Sequence, residues 1–573
     1  MKWTGRYAQY DAAAFRKDLL SGIVVAIIAI PLGMAFAIAS GVKPEYGIYT
    51  TIIAGILISL CGGSRFQIGG PTGAFVPILL AIVLQYGYEN LLITGFMAGI
   101  ILVLMGLLKL GALIKFIPRP VTIGFTAGIA VIIFSGQIAN VLGLSDMEKH
   151  EHFIPNMKEL ASHMASTNVY SIIAAAICLA TVLLTHRFLP KIPPTLAGLV
   201  LSSVVAALFF PGEVATIGSA YGAIPSELPH LQWPDLTWER VQTLIQPALI
   251  IALLGGIESL LSAVVADGMT GTRHNSNREL IGQGVANIVT PLFGGIPATG
   301  AIARTATNIR NGAISPFSGI IHGIVVLLVL ILFAPYASHI PLASMAPILM
   351  LVAWNMSERH SFAHTLKTKT GDSLVLLITF VLTVLTDLTT AVEVGLVLAV
   401  LLFVKRMSEM LKVNKVLPDA KDKHEKVKAY MVSEEHDCPQ VNIFTLDGPL
   451  FFGTANLFES IMDKVHLGPK IILLRMSKVP YMDTTGESKL AQLVRNAKKS
   501  GRIVLVSGIQ PQAEEVLKRS ELYSLIGEDR FFEHTGDAIN YALAHLDQGR
   551  CIGCTHFAFR ECQSLSGCQS TLA

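Results

Sequence analysis

Long apolar runs, separated by short polar or Gly/Pro-rich stretches, recur along the first 404 residues of the chain. They lie near 19–40, 46–61, 74–87, 91–110, 120–142, 168–187, 195–210, 243–266, 279–293, 301–312, 315–335, 340–354, 371–386 and 388–404, about fourteen in all. A helix needs roughly 20 residues to cross a hydrocarbon core. The third and tenth runs fall short, and each follows a break, GGPTGA at 69–74 and GGIPATGA at 294–301. Each of the two is third when counted from the first run or the eighth. The chain therefore reads as two halves of seven segments, and an odd number of crossings inverts the second half in the membrane.

A broken helix leaves backbone N–H groups without partners at the start of its second half. In hydrocarbon these are costly unless protein, water or a ligand satisfies them. Two such termini facing each other would converge partial positive charge on a site suited to an anion. Gly and Pro can also merely kink packed helices, and one break would mean no more than that. A matched pair in corresponding positions points to a transporter site.

After Lys405 the pattern changes. Residues 405–437 carry dense mixed charge and read as a helical or flexible linker. From 438 strand and helix patterns alternate: VNIFTL then ANLFESIMDKV, IILLRMS then TGESKLAQLVRNAKKSG, RIVLVS then PQAEEVLKRSEL. That is a small α/β domain over 438–547, followed by a Cys-rich tail at 548–573. Composition sharpens the picture: 14% charged residues and a mean hydropathy of +0.58, against roughly 25% charged in soluble domains. A net charge of +3, with no basic stripe interleaved with aromatics, sets nucleic acid aside. Lys2, Arg6, Arg16 and Lys17 precede the first span, which places the 1–18 N-terminus in the cytoplasm. The even span count brings the C-terminus to the same side. There is no nucleophile–base constellation or nucleotide-binding loop, and GGSRFQIGG lacks the lysine of a phosphate loop, so an enzyme is not expected and no cofactor is implied.

Some polar residues stand out in apolar surroundings. Arg304 lies one turn into the tenth segment, where a guanidinium is expensive unless paired or hydrated, and a functional role is expected. Arg310, at the far end, is expected to snorkel to the interface. Glu258 sits mid-segment behind Gly255-Gly256; it can carry a proton, hold a cation, or pair with Arg304. Asp267, near the end of that segment, is expected to be solvated. Cys61 and Cys178 read as packing residues. In the tail, Cys551-x2-Cys554 has knuckle spacing, but Cys562, Cys568 and His556 complete no familiar zinc pattern. The expectation there is a flexible reduced tail without a metal.

Residues 44–65, PEYGIYTTIIAGILISLCGGSR, resemble the signature of the SulP sulfate-permease family of anion transporters. Pro44, Tyr46-Gly47, Tyr49 and Gly62-Gly63-Ser64-Arg65 carry the likeness, with Ile48 where leucine is commoner. GGPTGAF at 69–75, GGIESLLSAVVAD at 255–267 and residues 294–313 agree with it. The wording at 28–42 is most like bacterial DauA-type members, which move dicarboxylates. VPYMDTTGESKL resembles the STAS domain that follows such transporters.

The resemblance implies an α-helical polytopic membrane protein of seven plus seven inverted segments. Segments 1–4 and 8–11 form a core, 5–7 and 12–14 a gate, with a small α/β STAS domain behind. Substrate would lie between Thr72, Gly73 and Ala74 on one half-helix and Gly300, Ala301 and Ile302 on the other, with Thr299 a second hydroxyl. Arg304 would support the anion and Phe36 line the site. Leu32 replaces a family glutamine, which favours a substrate with an apolar portion. Glu258, with the Ser262 hydroxyl one turn on, would couple transport to H+ or Na+. Asp387 and Glu393 flank the last hairpin and shape the gate end. In the STAS domain Thr484 occupies the place of a phosphorylatable serine, or caps its helix.

The resulting expectation is an elevator-like secondary transporter of sulfate, bicarbonate or a four-carbon dicarboxylate in a bacterial inner membrane. Its partners would be lipid, a second copy in a homodimer, and a cytoplasmic protein or nucleotide at the STAS domain. The rival readings are an uncoupled exchanger or channel, and a membrane-anchored sensor with STAS output.

Overall fold

The structure is a computed structural model. It describes residues 10–567 apart from 113–117, 146, 190–191, 227–229, 387, 419–431, 434–436, 457, 459–468 and 560. Lys2, Arg6, Asp387, Cys568 and most of the ANLFESIMDKV stretch, named above, lie outside the described residues.

The first half contributes helices α1 (Ala12–Ala39), α2 (Pro44–Cys61), α3 (Val76–Tyr86), α4 (Tyr88–Leu107), α5 (Arg119–Gly136), α6 (Val169–Phe188) and α7 (Pro194–Phe209). The second contributes α8 (Trp238–Thr270), α9 (Ser276–Leu292), α10 (Ile302–Arg310), α11 (Phe317–Ala337), α12 (Leu342–Met356), α13 (Gly371–Leu385) and α14 (Leu388–Glu409). Among the described residues, seven helices are long and apolar enough to cross a membrane by length and composition. The half-helices α3 and α10, at 11 and 9 residues, are too short to do so.

The helix pairings repeat when each helix is replaced by the one seven places on. α2 packs on α11 as α9 packs on α4, α1 on α11 as α8 on α4, and α5 on α13 as α12 on α6. Swapped pairs of this kind are the contact pattern of two copies related by a two-fold axis. The same pairings gather α1–α4 with α8–α11, and α5–α7 with α12–α14. Core and gate are thus two packed groups of helices.

Glycines set how closely the core helices approach. A Cβ on Gly47 of α2 would stand 2.0 Å from the Gly33 carbonyl oxygen of α1. One on Gly99 of α4 would meet the Ile288 amide nitrogen of α9 at 2.6 Å, and one on Gly284 the Gly99 carbonyl at 2.6 Å. Small residues at such crossings let backbones touch, which is how helices associate where lipid removes the hydrophobic drive.

Two membrane elements exceed their apolar cores. α1 starts at Ala12, inside the expected N-terminal segment, because Asp11 caps it by accepting from the Ala14 amide at 2.7 Å. α8 runs for 33 residues, opened by the Thr237 cap and closed by left-handed Gly271.

Besides the two-residue strands β1 (Gly69–Gly70) and β2 (Thr299–Gly300) of the first unit, the C-terminal unit is a five-stranded sheet in the order β3 (Lys412–Val416), β4 (Val441–Asp447), β5 (Ile471–Lys478), β6 (Ile503–Ser507), β7 (Phe531–Phe532). β3 is antiparallel to β4, and the remaining neighbours are parallel. Helices α15 (Thr484–Lys499) and α16 (Pro511–Arg519) cover one face through Leu490, Val494, Ala513 and Leu517. α17 (Thr535–Ala544) and the tail residues Ala558 and Phe559 cover the other. Burial on both faces explains the unbroken apolar run IILL in β5. Two expectations change here. The charged stretch after 404 contains the end of α14 and the edge strand β3, and among the described tail residues Ala558 and Phe559 are packed into the second face rather than loose.

Gly47→Ala should overpack the α1–α2 crossing, lowering stability by about 1–3 kcal/mol. Thermal denaturation of the detergent-solubilised protein, followed by fluorescence-detected size exclusion, would register it as a lower midpoint.

Candidate anion site

The two breaks meet in space. Gly69–Gly70 (β1) and Thr299–Gly300 (β2) pair as a short antiparallel ladder, with Gly69 opposite Gly300 and Gly70 opposite Thr299. The Ala301 amide extends it by donating to the Ile68 carbonyl at 2.9 Å. Each strand leads directly into a half-helix. On one side Gly73–Phe75 form a 3-10 turn ahead of α3, and on the other α10 opens at Ile302. No side chain caps either start, so the leading amides of both half-helices lack intrahelical or side-chain partners. A Cβ on Gly300 would fall 1.8 Å from Gln67 Nε2, so any larger residue there displaces the Gln67 amide that bonds Ser259. At Gly70, φ is +153° and a Cβ would meet Arg304 Nη1 at 2.4 Å.

A buried polar network holds the ladder. Asn287 of α9 accepts from the Ala298 amide at 2.8 Å and donates back to the Ala298 carbonyl at 2.8 Å. Ser259 of α8 accepts from the Gly300 amide at 3.1 Å and shares a 2.7 Å bond with the Thr299 hydroxyl. Gln67 donates to the Ser259 carbonyl at 3.0 Å, and the Thr305 hydroxyl accepts from the Ile68 amide at 3.0 Å. Asn308 donates to the Phe66 carbonyl and to the Ser318 hydroxyl, each at 2.9 Å. Two carboxylates cap the core's loops. Glu279 accepts from the Gly63 and Ser64 amides, and Asp18 from the Ile314 and Ser315 amides.

The named residues fall as follows. Thr72 is buried, and its hydroxyl donates to Glu258 Oε2 at 2.9 Å. Gly73 faces three helices: a Cβ there would meet Met356 Sδ at 2.8 Å, and Ile133 Cδ1 and Phe36 Cε1 at 3.4 Å each. Phe36 belongs to the core, Ile133 and Met356 to the gate, so the start of α3 lies where core and gate meet. Ala74 and Ala301 are buried, while Ile302 is 40% exposed at the head of α10. Arg304 is 3% exposed, and Nη2 donates to the Pro71 carbonyl at 3.0 Å; Nη1 has no partner among the described residues. Glu258 and Arg304 form no ion pair among the described residues, since each is engaged with the residues around Pro71 and Thr72. Ser262 turns toward α10 and donates to the Thr305 hydroxyl at 3.3 Å. Arg310 is exposed at the end of α10. Asp267 is only partly solvated: the loop after α8 folds back, and His274 Nδ1 sits 2.7 Å from its carboxylate. In the STAS unit Asp483, not Thr484, caps α15 by accepting from the Gly486 amide at 2.8 Å, which leaves Thr484 exposed.

Sequence reasoning located the two breaks but not the network that ties them. Gln67, Ser259, Asn287, Thr305 and Asn308 were visible only as single polar residues in apolar segments. Fully buried His322 of α11 was missed as well; it stands beside Gly55.

Paired discontinuous helices inside a core that packs against a gate define a polytopic carrier. Comparison with known proteins gives the family. The Sulfate permease family profile matches residues 15–379 and the STAS domain profile 431–538, and the chain belongs to the sulfate permease family. It is 54% identical over 535 residues to the putative sulfate transporter YvdB of Bacillus subtilis, covering 93% of this chain and 99% of that protein. It is 30% identical over 560 residues to the bicarbonate transporter BicA of a Picosynechococcus, covering 93% and 96%. The solved transmembrane domain of a cyanobacterial BicA superposes with a TM-score of 0.61 at 31% identity, covering 68% of this chain and 98% of that one. SLC26A9 superposes with a TM-score of 0.85 at 19% identity, covering 96% and 93%, which shows the shared fold. The protein is therefore a mostly helical membrane transporter with a separate C-terminal STAS domain, and not an enzyme.

Asn287→Ala removes both bonds to residue 298 and leaves a buried amide and carbonyl unpaired, at a cost of roughly 1–3 kcal/mol each. Lower thermal stability and lost anion uptake are expected together in reconstituted vesicles.

Proposed function

We propose that this chain is a secondary transporter of a small anion, sulfate or bicarbonate in first place, coupled to H+ or Na+ and moved by displacement of the core against the gate. One observation carries the proposal. Two uncapped half-helix starts, joined by β1–β2, flank a buried arginine with a donor to spare, at the junction of core and gate. Amide donors and helix dipoles favour an anion there without further charge. Gly73, Ala74 and the head of α10 would supply those amides, with Arg304 behind them. The relatives named as sulfate and bicarbonate transporters support the substrate class.

Glu258 gives the coupling. Its carboxylate sits against the hydroxyl that precedes the α3 terminus. Left ionised, it repels an anion at that terminus; neutralised by a proton or paired with sodium, it does not. Cation and anion binding are then mutually favourable, as linkage requires. The Thr72–Glu258 bond supports a part for the Thr72 hydroxyl in this coupling as well as in anion binding. Ser262, committed to Thr305, would act by holding α10 in place. The homodimer and the bacterial inner membrane remain part of the proposal through the family. Thr484 is proposed as a regulatory phosphosite, which its exposure at a helix N-terminus supports.

Glu258→Gln should lower gradient-driven uptake by at least about tenfold, which is ~1.4 kcal/mol, while anion binding persists. Unchanged dependence on pH and on sodium in the variant would overturn the coupling role. Sulfate, bicarbonate, succinate, fumarate and chloride, competed in proteoliposomes at several pH values with and without sodium, would identify substrate and cation. Flux that needs no cation gradient would instead favour an uncoupled exchanger.

A further inference from the structure

Within the membrane unit a cavity of about 720 Å³ opens toward the end of the fold where α1 and α5 finish. Its floor includes Val76 and Ile133, adjacent to Gly73 of the anion site. A strap crosses its mouth: residues 147–152 of the α5–α6 connection, which hangs from the gate. From it Lys149 reaches to the core, where its Nζ donates to the Ile38 carbonyl at the C-terminal end of α1, 3.2 Å away. A cation there suits the negative end of the α1 dipole.

Lys149 is the one lysine or arginine among the residues lining the cavity. Its side chain reaches solvent at the cavity mouth, and the protein packed around it lowers its pKa below the ordinary lysine range. Among the described residues no carboxylate pairs with it. The cavity also carries Glu148, Glu151 and Glu393, with His150 and His152; His150 lies 3.7 Å from Glu159. An anion passing three carboxylates meets net repulsion, which the Lys149 ammonium offsets in part and, once freed from Ile38, can meet directly.

The geometry points to Lys149 as an anion-exchangeable strap. With the vestibule empty the ammonium holds the Ile38 carbonyl and ties gate to core; an arriving anion takes the ammonium from that carbonyl, releases the core and is passed toward Gly73. This rests on the anion-transport reading above. The step is an exchange of hydrogen-bond acceptors on one ammonium and needs no covalent change.

Two measurements test it on the full-length protein. Hydrogen–deuterium exchange over residues 143–153 of the wild type should rise when the transported anion of the competition panel is added. In Lys149→Met it should already be high and should not respond, while Lys149→Arg restores the response. In proteoliposomes Lys149→Met should raise KM for that anion about threefold or more, with kcat maintained or increased. Wild-type exchange that ignores the anion, or an unchanged KM in Lys149→Met, overturns the strap. Absence of wild-type flux with every anion in the panel would instead overturn the transport reading.

Discussion

Everything in the membrane unit depends on one constraint: a backbone amide in hydrocarbon must find a partner. Interrupting two helices at the centre of the core exposes a row of such amides. The fold meets most of that demand by pairing the interruptions with each other, Gly69 against Gly300 and Gly70 against Thr299. Side chains of α8 and α9 satisfy others, with Asn287 on residue 298 and Ser259 on Gly300. What is left is the head of each half-helix, and those heads lie side by side. The candidate site is the remainder of a hydrogen-bond problem that the backbone otherwise solves.

That explains why so much of the architecture could be read in advance and why the rest could not. Apolar length and Gly/Pro breaks are properties of single segments, so the fourteen-helix order and the two short helices were legible. Gly70 and Gly300 were legible as breaks, but not as positions emptied for Arg304 and Gln67, because those close approaches depend on α10 and α8. Ser262 shows the limit most plainly. Its spacing from Glu258 places both on one face of an ideal helix, yet its hydroxyl is drawn to Thr305 by the neighbouring half-helix. Spacing along one helix cannot say which neighbour a side chain will find. In the same way the charge density after residue 404 concealed β3, whose pairing with β4 is set by strands further along the chain.

The sequence alone admits Arg304 and Glu258 either as a pair or as two separate functions. In this structure each is tied to a different atom of the same short turn, Arg304 to the Pro71 carbonyl and Glu258 to the Thr72 hydroxyl. A direct ion pair would cancel both charges and leave the half-helix starts to bind an anion by dipoles only. Holding them apart across Pro71-Thr72 keeps the positive group facing the ladder and the negative group on the α8 side. The turn that begins α3 is then the element that both an anion and a cation would act on, which is what coupling requires of a shared site.

The same geometry bears on selectivity. Backbone amides and a guanidinium recognise negative charge and oxygen acceptors but distinguish poorly between one oxyanion and another. Leu32 is buried in α1, four residues before Phe36, and adds no polar contact. Discrimination on the proposed reading therefore comes from size and from the cost of removing water at the junction of Phe36, Ile133 and Met356, two of which belong to the gate. A pocket walled partly by the gate has its full shape only while core and gate are apposed. On that reading substrate choice and the transport motion would be one property of the protein, because the surface that sorts anions would be the surface that slides.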